Sequence, residues 1–101
     1  MKTKIGMYDI SLIAGATFEL GVTCEGANFC FPDLSRRELK ELAQRLTCED
    51  EHASLLIHGD AVGIDLIKDR VIFGAVYASF EIRMTPTERR LLRQWIKEQL
   101  K

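Results

Sequence analysis

The chain has 101 residues, 47% of them hydrophobic and 29% charged, which is too apolar for a disordered segment and too charged for a membrane bundle. That length closes one core, so residues 1–101 are expected to form a single domain. Net charge is −1, giving no overall pull toward nucleic acid or anionic lipid.

The N-terminal third reads as strands. Tyr8, Ile10, Leu12 and Ala14 occupy one side of a two-residue alternation running from Ile5 to Ala14. Phe18, Leu20, Val22 and Cys24 do the same between Thr17 and Glu25, with a polar opposite face. A three-residue loop at Ala14-Gly15-Ala16 would pair Leu12 with Phe18 and Ile10 with Leu20, keeping both core faces together. Gly26 marks the next tight turn, expected to set Cys24 beside Phe29 and Val22 beside Phe31. A short third strand then ends at Pro32.

Ser35-Arg36-Arg37-Glu38 is a capping box, flanked by Leu34 and Leu39 as a hydrophobic staple. The helix behind it presents Leu39, Leu42, Ala43 and Leu46 at i, i+3, i+4 and i+7. The second half repeats the plan. Leu55 and Ile57 are expected to face Leu66 and Ile64 across a hairpin turning at Asp60-Ala61. One long strand is then read from Val71 to Met84, with Ile72, Val76, Ala78, Phe80 and Ile82 on its core side. Thr85-Pro86-Thr87-Glu88 is a second capping box with Pro at the first helical position. Its helix is expected to bury Leu91, Leu92, Trp95, Ile96 and Leu100.

The expected fold is therefore α+β, a two-layer sandwich in the order βββα-βββα. It has one mostly antiparallel sheet of about six strands and two helices on one face. An offset of 50 aligns Ser35 with Thr85, Glu38 with Glu88, Leu42 with Leu92 and Leu46 with Ile96. This pairs residues 1–50 with 51–101 as candidate pseudo-repeat halves.

Motifs for chemistry are sparse. Cys24, Cys30, Cys48 and His52 follow a C-x5-C-x17-C-x3-H spacing that matches no zinc knuckle. The register also puts Cys24 and Cys30 on opposite sheet faces, so no metal site is assigned. The glycines form neither G-x-G-x-x-G nor a phosphate loop, and no cofactor is assigned. His58 with Asp60 or Asp65 is the acid–base candidate, but no nucleophile is fixed beside it and no catalytic residue is assigned.

Charge is unevenly placed. Residues 83–101 hold six bases against two acids, a net +4, whereas residues 24–69 hold five bases against ten acids, a net −5. Arg89, Arg93, Lys97 and Lys101 recur every four positions along the last helix. The outward side of the second-half strands reads as apolar, with Leu56, Ile67, Val71, Phe73 and Tyr77, and Glu19 supplies an acidic flank. Unbroken apolar patches of this kind mark contact surfaces.

The leading expectation is a small non-enzymatic protein-binding module, of the inhibitor, immunity-type or adaptor kind. It would act through Leu56, Ile67, Val71, Phe73, Tyr77 and Glu19 on another protein or on a second copy of itself. A nucleic-acid-associated regulator using Arg89, Arg93 and Lys97 is the alternative, and an enzyme using His58 with Asp60 or Asp65 the second alternative. No apolar run reaches the roughly 18 residues of a membrane span. No uninterrupted apolar stretch follows Met1-Lys2-Thr3-Lys4, so a cytoplasmic location is expected.

Overall fold

Alternation and turn chemistry generate eight strands among the described residues, against the six expected. In the computed structural model, which describes residues 1–75 and 79–101, the first half contains β1 (Lys2–Ile5), β2 (Tyr8–Ala14), β3 (Phe18–Cys24), β4 (Ala27–Leu34) and α1 (Arg36–Arg45). The second half contains β5 (His52–Ile57), β6 (Asp60–Ile67), β7 (Arg70–Gly74), β8 (Ser79–Arg83) and α2 (Pro86–Gln99). Strands β1 to β4 form one antiparallel meander and β5 to β8 another.

The fold is α+β, but the single six-stranded sheet is corrected to two four-stranded sheets, in the order ββββα-ββββα. Two turns account for the difference. Gly6, at φ +60°, reverses the chain between β1 and β2, pairing Ile5 with Tyr8. The expected long strand from Val71 to Met84 folds back on itself, pairing Gly74 with Ser79. This hairpin joins odd residues of β7 to even residues of β8, Val71 to Ile82 and Phe73 to Phe80. Val71 and Phe73 therefore face the core, and Ile72 looks outward, half-buried, against the expected parity.

Elsewhere the expected loops are displaced but the faces survive. Leu12 pairs with Leu20 and Ile10 with Val22, across a loop at residues 15–17. Val22 pairs with Phe29 across the two-residue turn Glu25-Gly26, where φ is +36° and +81°. Both displacements are by two residues, and a slip of two leaves every side chain on its own face. Leu55 pairs with Val62 and Ala53 with Ile64, a displacement of four, so the turn is His58-Gly59 rather than Asp60-Ala61.

The inner faces of the two sheets meet through phenylalanines. Phe31 lies edge-on to Phe73 with ring centroids 5.4 Å apart, Phe29 lies 6.0 Å from Phe73, and Phe73 stacks on Phe80 at 4.8 Å. The Tyr8 hydroxyl reaches across to accept the Arg83 backbone N–H at 2.6 Å. Ile10, Leu12, Leu34, Ile64, Val71 and Met84 are sealed in this shared core.

Each helix starts from the expected capping box, with both reciprocal bonds formed at Ser35–Glu38 and at Thr85–Glu88. Helix α1 packs against α2 and against β5, and Arg45 Nε donates to the Ser54 carbonyl at 3.1 Å. Edge pairing by another chain is blocked on β4 by Pro32, which has no N–H to donate.

Candidate binding groove between the helices

The four-residue spacing of Arg89, Arg93, Lys97 and Lys101 places these cations along one side of α2, the side that meets α1. Arg36 Nη1 at the start of α1 donates to the Leu100 carbonyl at the end of α2, and Arg93 Nη1 donates to Thr47 Oγ1 at 2.7 Å just beyond the end of α1. The helices are thus antiparallel. Between them runs a groove walled by Lys40, Gln44, Arg93, Lys97 and Lys101, with Ala43 and Leu100 as its apolar floor. Four cationic side chains line it, and no Asp or Glu is among its lining residues. None of these cations takes part in the ion pairs found among the described residues.

The cations differ in what they can reach. Lys97 is exposed, Arg93 is half-buried against Thr47, and Arg89 is buried. Arg89 therefore presents no protruding cation to a duplex lying along the helix surface, as the nucleic-acid alternative required. Lys40 is the residue that sequence reasoning missed, because only the pairing of α1 with α2 brings it to the stripe.

The expected sheet-face patch is broken up. Leu56 and Ile67 are exposed, at 61% and 42%, but Val71 and Phe73 are 0% and 4% exposed and belong to the core. Leu56 sits opposite Ala61 and Ile67 opposite Arg70, at the two ends of β6, so they do not form one surface. Tyr77 lies outside the described residues. Glu19 is half-buried on the outer face of the first sheet, one register step from Cys30.

His58 is not beside Asp65. It occupies a turn at φ +54°, its ring Nε2 3.0 Å from the Pro32 carbonyl and its backbone N–H donating to Glu38. Asp60 pairs with Ile57 directly after that turn. The histidine that meets Asp65 is His52, directly across the β5–β6 ladder, with Nδ1 2.6 Å from Oδ1. Both side chains are at least half exposed, 67% and 50%. Ser54 shares their face one step along β5, but its hydroxyl makes no bond to the ring among the described residues. A base without a nucleophile or an enclosed substrate space does not define a reaction.

Cys24 packs against the core and Cys30 is exposed on the opposite face. Local burial, then the charge and hydrogen bond of Glu19, push the Cys30 thiol above its ordinary pKa. Because the thiolate is the reactive form, Cys30 is expected to alkylate slowly at neutral pH. Glu19→Gln should speed that alkylation severalfold, as followed by iodoacetamide labelling and peptide mass mapping. An unchanged rate in the variant would remove Glu19 as the cause.

No protein-family model matches the sequence, and no curated protein matches it. No helix is long and apolar enough to cross a membrane among the described residues.

Proposed function

We propose that this chain is a non-enzymatic protein-binding module that receives an acidic segment of a partner protein in the groove between α1 and α2. The observation carrying this reading is the one-signed lining: Lys40, Arg93, Lys97 and Lys101 around a floor of Ala43 and Leu100. A cationic wall draws in and aligns a negatively charged partner, and the apolar floor rewards small aliphatic side chains on the incoming chain. The groove is recessed, with Arg93 held to Thr47 and Arg89 sealed. That shape suits an extended peptide better than a nucleic-acid duplex, which needs cations on a protruding surface.

A fluorescent ten-residue peptide of alternating Glu and Ala tests this by anisotropy. Binding should weaken with salt, and the Lys40→Glu/Lys97→Glu variant should lose affinity by about tenfold or more, equivalent to roughly 1.4 kcal/mol. Equal binding by the variant would overturn the proposal, as would tighter binding of a single-stranded oligonucleotide of the same length.

A further inference from the structure

The two halves place different residues at one equivalent position. Counting from each capping box, Leu39 and Arg89 both stand four residues after their N-caps, Ser35 and Thr85. Both are buried, Leu39 at 0% and Arg89 at 9% exposure. Leu39 completes a staple with Leu34, which immediately precedes its cap; Met84 precedes the second cap and is equally sealed. Where the first half completes its core with leucine, the second buries a guanidinium.

That guanidinium is poorly satisfied. Nε and Nη1 are sealed from solvent and have no hydrogen-bond partner among the described residues. Leaving a buried charge uncompensated is costly, and a hydrophobe of similar volume is commonly the more stable choice. The neighbourhood adds to the cost, since Arg90 follows directly and both lie near the positive end of the α2 dipole. Burial, and then Arg90, push the Arg89 pKa down from its ordinary value.

Arg89 also forms the wall of a cavity between α2 and the segment that follows α1. Thr47, Cys48, Glu49, Pro86 and Arg90 complete that wall. In that wall Thr47 accepts a hydrogen bond from Arg93 Nη1 at 2.7 Å. Arg89 lines this space, and its Nε and Nη1 are the donors beside it that the protein leaves without a partner among the described residues.

We infer that this cavity binds a phosphate-type oxyanion, held by Arg89 and Arg90. Both arginines line the space, Arg90 with Nη2 donating to Thr87 Oγ1 at 3.3 Å. Two guanidinium groups suit a dianion, and the planar fork of arginine matches phosphate oxygens two at a time. Glu49 is the native carboxylate in the wall and opposes the ligand by like charge. This site uses neither Lys40 nor Lys97, so it stands independently of the peptide groove.

Thermal unfolding of the full chain in inorganic phosphate, against sodium chloride at equal ionic strength, tests the site. Tm should rise by roughly 10–20 °C at phosphate a hundredfold above its Kd. Arg89→Leu, which copies the residue of the first half, should raise Tm in the absence of phosphate and abolish the phosphate-dependent rise. Glu49→Gln should reach the same rise at a severalfold lower phosphate concentration. Methyl phosphate separates a site for the free ion, where it gives no rise, from one that accepts a phosphoryl-bearing ligand, where it matches phosphate. No rise over chloride in the unaltered chain, or an undiminished rise in Arg89→Leu, would overturn the assignment.

Discussion

Leu34→Ala is expected to cost roughly 2–5 kcal/mol of unfolding free energy, the range for removing a fully buried leucine side chain. Leu34 is 0% exposed and is the last residue of β4. It pairs with Phe18 after the ladder has been stepped between Phe18 and Leu20. Pro32 and Asp33 lie between Phe31 and Leu34 on β4 where Glu19 alone lies between Leu20 and Phe18 on β3, and Asp33, at φ +53°, absorbs the extra residue. That bulge turns an even-numbered side chain into a core otherwise filled from β4 by Phe29 and Phe31. The same residue precedes the Ser35 cap and staples Leu39. Truncation therefore opens a cavity where strand, bulge and helix start converge, and collapse around it is restrained from three directions. Urea unfolding should show a lower midpoint with an unchanged slope. Leu91→Ala is the control: Leu91 is 55% exposed, so its loss should stay within about 0.5 kcal/mol. A cost below about 1 kcal/mol at Leu34 would show that the junction is not closely packed.

The contrast between Leu34 and Leu91 shows what the sequence could and could not reveal. Both helix starts were legible to the residue, because a capping box is a local bargain between side chains and backbone three positions apart. Core faces in β2, β3, β5 and β6 were legible through alternation, although the pairing register across each hairpin was displaced by two or four residues. Even displacements leave faces intact, so the error cost only register. The register error mattered at β5–β6, where it exchanged His52 for His58 as the partner of Asp65. Strand parity failed at β7 because a hairpin lies inside the apparently continuous run from Val71 to Met84. With it went the apolar contact face, since Val71 and Phe73 turned out to be interior. In α2 the apolar spacing favoured Leu91, whereas the cap geometry directs the position of Arg89 inward. The basic stripe was visible at four-residue spacing. Its conversion into a groove needed Lys40, which only the antiparallel packing of α1 on α2 supplies.

Glu38→Ala should cost about 1–2 kcal/mol, more than an ordinary surface substitution, because one carboxylate serves two backbone donors in different halves of the chain. Oε1 accepts the Ser35 N–H and Oε2 accepts the His58 N–H, each at 2.9 Å. The first bond starts α1. The second fixes the β5–β6 turn, where His58 is a non-glycine residue at positive φ and needs an external restraint. The Ser35 N–H, followed by the His58 N–H, holds the Glu38 carboxyl below its ordinary pKa. A depressed folded-state pKa means that the stabilisation is fully present above the unfolded value, about 4.3. It is lost as pH falls through the lower folded value, when the proton occupies an oxygen that should accept. The difference in stability between the unaltered chain and Glu38→Ala should therefore be constant from neutral pH down to about 5 and shrink below it. Glu38→Gln retains one accepting oxygen and should recover part of the loss, without the acid dependence. Urea titrations of the three proteins between pH 3 and 7 measure this directly. A difference that persists unchanged at pH 3 would assign the effect to helix propensity rather than to the carboxylate.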